Sequence, residues 1–362
     1  MKATKTMLLG AALLALASGC GDDAAKQQFT VYGLKDDGRS VYSLGTWPDL
    51  SAGTTPLFDV FAPEDRQLDP DKFQIFTGGY LANDGKRLLS GYTKPDVTGK
   101  VAVHTLEGSS TQYVSIPGNF TAVGNDGTFY VSGLQGASFS SGSAVYALRD
   151  QTPQLVMVGS QDSASGPLAI ATNGAAVFGY ADASANYENV LPLVAPSLYG
   201  PDKAAVTSFS GPLGLSGVFD IAGFRDGIAA LQGSQDPQTF KRHYDGVVRV
   251  PLKVEGDLVK TSGLTALVLR FADQCSRVSL EGSMGDDLLV RISDPQGKDA
   301  HLVRIAIKKD AKNPTRSAAT DCATAQRDPV LGTLELQTGF VVESSAALPE
   351  GVGAVTAVPV AQ

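Results

Sequence analysis

The strongest constraint on this chain is a hairpin signal that returns at near-regular intervals. A β-prone run, a polar turn and a second β-prone run make up Tyr80–Gly91, Phe120–Gly133, Leu168–Gly179 and Phe219–Gly233. An earlier copy spans Val31–Tyr42 and a later one Val278–Ile292. The turns usually carry Asp-Gly or Asn-Gly, which favours a tight hairpin because the turn wants positive φ and Gly adopts it without steric cost. The turn glycines are Gly38, Gly85, Gly127, Gly174, Gly227 and Gly285, at intervals of 47, 42, 47, 53 and 58 residues. More short strands follow the hairpins: Lys100–Leu106 and Gln112–Ile116, Ala144–Leu148 and Gln154–Val158, Gly246–Leu252 and Leu258–Lys260.

Four short strands per unit, repeated every 40 to 60 residues, predict an all-β fold of the β-propeller type. One blade cannot bury both of its faces, so the units must stack around a ring. The 40 Gly and 19 Pro are scattered between short apolar runs, as many tight turns require. No sustained amphipathic helix is present. Asn83–Leu89 resembles the repeats of TolB-like propellers, and Asn125–Val131 resembles those of NHL-type and gluconolactonase-like propellers. Each resemblance covers about a dozen residues and implies geometry, not function. Seven blades are expected, the seventh built from Leu334–Val342 and Gly353–Val358. Six blades with a long insertion bearing Cys322 is the alternative, and two stacked sheets the competing architecture.

The N-terminus carries export information. Lys2 and Lys5 precede an apolar run, Met7–Ala17, and small residues lead to Cys20. That order is a secretory signal, too short for a permanent membrane span. Leu16–Cys20 resembles a bacterial lipobox, with Leu one position further from the Cys than is usual. The resemblance implies a signal peptide over 1–19, diacylglycerol on Cys20 as the membrane anchor, and a flexible lipidated tether over 20–28 before a single propeller domain at 29–362. Gly21 in place of Asp implies sorting to the outer membrane, in a leaflet the residues do not specify.

Without the signal, 343 residues of net charge −10 remain. An acidic body with no basic cluster argues against nucleic acid and anionic lipid headgroups as partners. Cys275 and Cys322 are left over in an oxidising compartment, where a disulfide persists. A bridge closing that loop would stabilise the fold by roughly 4 kcal/mol in the chain-entropy model; two free buried thiols is the other possibility.

Chemistry is sparse. There is no Gly-x-Ser-x-Gly, no His-Glu-x-x-His, no Cys-x-x-Cys and no phosphate-binding loop. The three histidines, His104, His243 and His301, are far apart, which argues against a His-built metal centre. No cofactor is implied. Lys241–Gly246 gathers charge, imidazole and phenol before a strand, Asp286-Asp287 occupies a turn, and Tyr180–Asn189 and Ser234–Asp245 are polar loops. Each reads more readily as solvated connection than as site, and Trp47 more readily as packing than as a sugar platform. The expectation is an envelope-anchored, non-catalytic binding or scaffold propeller presenting loops to a protein or glycan. The alternative is a lactonase- or lyase-like enzyme with a carboxylate-held metal at the central channel. Converging Asp, Glu, Asn or His side chains in the channel would favour the enzyme; an apolar plug would favour the scaffold.

Overall fold

A computed structural model describes residues 27–67, 76–77, 80–94, 98–116, 118–134, 142–150, 152–159, 163–182, 188–200, 202–206, 211–236, 238, 242–263, 265–271, 277–294, 299–308 and 334–360. Cys20, Cys275 and Cys322 lie outside the described residues. No helix among the described residues is long and apolar enough to cross a membrane.

The described strands form six antiparallel sheets arranged as six blades, not seven. The innermost strands are Val352–Pro359, Ala82–Asn83, Gly118–Val123, Ser163–Ile170, Val218–Phe224 and Arg277–Met284, and each packs against the next around a closed ring. The first blade is shared by the two ends of the chain. Val352–Pro359 pairs along Phe29–Lys35, from Phe29 against Pro359 to Lys35 against Val352.

The expected seventh blade dissolves into its neighbours. Leu334–Leu336 adds an edge strand to the fifth blade, Phe340–Ala347 is the outer strand of the sixth, and Val352–Pro359 closes the first. The chain therefore leaves the sixth blade after His301–Ile307, touches the fifth, and returns. The six-blade alternative is the one observed; the Cys322-bearing insertion that went with it lies outside the described residues. Nearly all the regular structure is strand, with a single 3-10 turn at Pro63–Asp65 among the described residues.

Burial follows from the ring. Six apolar clusters fill six seams, one between each pair of neighbouring blades. Alternation along a strand sends successive side chains to opposite seams. On Gly227–Gln235, Ile228 and Ala230 face the fourth blade while Ala229 and Leu231 face the sixth. Strands flanked on both faces in this way read as continuous apolar runs, as Ile228–Leu231 does.

The hairpins at Gly85, Gly127, Gly174 and Gly227 occupy equivalent places, each joining an innermost strand to its second strand. Gly227 differs in one respect. The left-handed residue of its turn is Arg225, at φ 54°, while a Cβ on Gly227 would stand 2.1 Å from the Val250 carbonyl oxygen. Gly38 lies at the opposite end of its blade, between the second and third strands.

These turns also join neighbouring blades. Arg87 donates to the Gly127 carbonyl at 2.9 Å, Asn125 to Thr172 at 2.7 Å, Asn173 to Leu252 at 2.8 Å and Arg225 to Asp286 at 3.1 Å. Within the third, fifth and sixth blades an Asp near the turn closes on an Arg of the third strand: Asp126 on Arg149, Asp226 on Arg249 and Asp287 on Arg304.

Candidate active site

The ring encloses a central channel of about 580 Å³, bounded by the innermost strands of all six blades. Its walls are not the apolar plug of a pure scaffold. Asp220 and Glu281 line it, from the innermost strands of the fifth and sixth blades, together with Asn83, Thr121, Arg242 and Tyr244.

Both carboxylates sit where the strands are irregular. Pairing of Val218–Phe224 with its neighbour slips between Val218 and Asp220, leaving Phe219 unpaired. Pairing of Arg277–Met284 slips between Leu280 and Gly282, leaving Glu281 unpaired. A bulge inserts one residue, bends the strand and re-aims the side chains beside it. Strands that would otherwise send apolar side chains only into the seams thus send a carboxylate into the ring.

Each carboxylate is held by backbone of the next blade. Asp220 Oδ2 accepts the Leu280 N–H at 2.8 Å, and its Oδ1 accepts the Ile221 N–H at 2.9 Å. Glu281 Oε2 accepts the Val355 N–H at 2.9 Å, and Oε1 accepts the Ser279 hydroxyl at 2.5 Å. Both residues keep part of their surface open to the channel.

Desolvation is the main influence on their ionisation. Burial pushes Asp220 up to about 7; the Leu280 and Ile221 N–H groups and the Arg242 charge pull the other way, while the Glu281 charge adds to the rise. Glu281 is also raised by burial, against Arg291, Ser279 and the Val355 N–H. An acidic side chain that keeps its proton near neutrality, beside a second carboxylate, is the arrangement from which acid–base assignments are made.

Arg242 and Tyr244 complete this wall. They open the strand Arg242–Glu255, and the Arg242 guanidinium stands 5.0 Å over the Phe219 ring. The Tyr244 ring meets Phe219 edge-on at 5.7 Å. Between them His243 alternates to the other face and pairs with Asp245 at 3.2 Å. The Lys241–Gly246 cluster, read as solvated connection, therefore supplies two channel residues; Lys241 itself lies outside the described residues.

The other candidates fall elsewhere. Asp287 is buried in its ion pair with Arg304, at 2.6 Å, and the Asp286 carbonyl accepts from Arg225. In the Tyr180–Asn189 loop, Asn189 ties the fourth blade to Val218 at 2.7 Å, while 183–187 lie outside the described residues. Trp47 packs in the seam between the sixth and first blades and donates to Ser344 Oγ at 3.0 Å, in keeping with a packing role. His104 is buried and stacked on Phe58, its ring centroid 4.7 Å away, and burial lowers its basicity.

Among the described residues no group of three or more His, Cys, Asp or Glu is placed to hold a metal ion, so the carboxylate-held metal finds no donor set there. Asp220 and Glu281 did not stand out in the sequence. The signal was a lone acid inside an innermost strand, Asp220 within Val218–Phe224 and Glu281 within Arg277–Met284.

No family model matches the chain, and no curated protein matches it. Among solved structures it is similar to the Hadza microbial sialidase Hz136, at 13% identity and a TM-score of 0.40, over 73% of this chain and 62% of that one. It is also similar to a GH43_1 enzyme from Xanthomonas citri, at 11% identity and a TM-score of 0.34, over 77% of this chain and 82% of that one. The chain thus spans less than two thirds of the sialidase's length. The expectation of a non-catalytic scaffold is corrected at the channel: carboxylates converge there, the feature expected of an enzyme, where a scaffold would carry an apolar plug.

Proposed function

We propose that this chain is an enzyme that cleaves a glycosidic bond in its central channel, with Asp220 as the proton donor and Glu281 as the second carboxylate. The observation that carries the reading is the pair of carboxylates, Asp220 and Glu281, turned into one open cavity from adjacent innermost strands by a bulge in each; burial favours the protonated form of Asp220. In such a reaction the Asp220 proton passes to the bridging oxygen, and the carbon–oxygen bond breaks with its electron pair on that oxygen. Water then adds to the ring carbon and gives its proton to Glu281, whose charge also stabilises the cationic ring. Tyr244 and Phe219 line the channel beside the two carboxylates, a mixed aromatic and polar surface of the kind a sugar matches. Lipidation at Cys20 would hold this activity at the bacterial envelope.

A panel of chromogenic aryl glycosides, scanned from pH 5 to 8, tests the reading. Turnover of at least one is expected, falling 100-fold or more in Asp220→Asn and in Glu281→Gln while circular dichroism stays unchanged. No turnover across the panel, or turnover indifferent to both substitutions, overturns it.

A further inference from the structure

Among the described residues that line the channel, Arg242 is the one cation; Asp84, Asp220 and Glu281 are the charged groups of opposite sign. Arg87, Arg149, Arg249 and Arg304 each close on a carboxylate. The Arg242 side chain makes no such ion pair and no hydrogen bond among the described residues; its guanidinium lies over the Phe219 ring. Its charge acts on Asp220, but no ion pair joins it to Asp220 or Glu281 among the described residues; those carboxylates accept from Leu280, Ile221, Val355 and Ser279.

A guanidinium lying over an aromatic face has its plane held and its N–H edges left free. Those edges are suited to a planar anion that can take two parallel hydrogen bonds. Phe219 is the unpaired residue of the bulge that also places Asp220, so Arg242 stands at a fixed offset from the proton donor. The other charged residues among the described channel lining, Asp84, Asp220 and Glu281, are acidic, so an anionic group would be drawn to Arg242 and away from the registers beside a carboxylate.

We propose that Arg242 anchors the carboxylate of an acidic sugar, so that the substrate is a uronic-acid-type glycoside; this rests on the glycosidase reading above. Phe219 holds the guanidinium in place.

Saturation-transfer NMR on the intact protein, with methyl β-D-glucuronide and methyl β-D-glucoside as probes, reads binding without turnover. Saturation of the glucuronide at least fivefold above the glucoside is expected. Arg242→Gln should abolish that preference and Arg242→Lys should retain part of it, with melting temperatures confirming that both variants fold. Equal signals from the two sugars, a preference unchanged in Arg242→Gln, or no signal from either sugar overturns the proposal. The glycoside panel, which contains neutral substrates, decides the acid–base reading separately.

Discussion

The side chain of Asp220 reaches across a blade seam to the backbone of Leu280, Oδ2 to N–H at 2.8 Å, so one carboxylate both joins the fifth blade to the sixth and faces the channel. Glu281 repeats the relationship one seam further on, with Val355 of the first blade. Proton binding at the channel is therefore coupled to the closure of the ring.

The first consequence is a stability that depends on pH. The folded Asp220 binds its proton up to about pH 7, against 3.8 for a free side chain, and Glu281 is displaced in the same direction. Between those values the native state holds more protons than the unfolded chain, so this contribution is fully present at about pH 4 and is lost as pH rises through about 7. The wild-type melting temperature should fall from pH 5 to pH 8. Asp220→Asn should flatten that slope and cost about 1–3 kcal/mol, because one of two N–H donors loses its acceptor. Thermal denaturation at four pH values checks both; equal slopes in variant and wild type would count against the coupling.

A second prediction concerns the close approach of innermost strands. A Cβ on Gly223 would stand 2.1 Å from the Ile170 carbonyl oxygen, which is backbone and cannot swing aside. Gly223→Ala should cost about 2 kcal/mol or more in urea denaturation. Gly256→Ala, in a turn at φ 61° with open space around it, should cost only about 1 kcal/mol. Reversal of that order would sink the packing argument.

The ring closure can be probed at Asn83. Its amide donates to Thr356 Oγ1 and to the Ala357 carbonyl at 3.2 Å, linking the second blade to Val352–Pro359. Asn83→Ala should destabilise the protein by about 1–3 kcal/mol and speed proteolytic trimming of that strand. Trimming at the wild-type rate would place the closing contact elsewhere.

Membrane attachment has a direct test. Cys20→Ser should move the protein from the membrane fraction to the soluble fraction of the producing bacterium, and a mass measurement should show loss of the diacylglycerol adduct. Unchanged partitioning would remove the lipid anchor from the account.

The blades were legible because their signal is local. A hairpin turn needs a particular backbone conformation, and Asp84-Gly85 or Asn173-Gly174 announces it within two residues. Blade number was not legible in the same way, since it depends on which strands pair across long separations. Leu334–Leu336 and Phe340–Ala347 are adjacent in sequence and belong to different blades. The site was hidden for a related reason. Asp220 and Glu281 are brought together by ring geometry and turned inward by bulges, and neither a bulge nor a neighbouring blade leaves a spacing to read. Arg242 and Tyr244 stood in a cluster that was noticed, but nothing local says that one end of Arg242–Glu255 opens on a channel.

Because Phe29–Lys35 finds its inner partner in Val352–Pro359, the first blade stays unfinished until nearly the whole chain has been made. During synthesis, the strand that begins the domain has an open edge waiting for the strand that ends it, and the seam clusters flanking that blade remain half-built. Pairing at so long a sequence separation is slow and leaves edges open to wrong partners. The nascent protein is thus most exposed to misassembly before Val352–Pro359 has docked, and that one strand turns an open arc into a circle without ends.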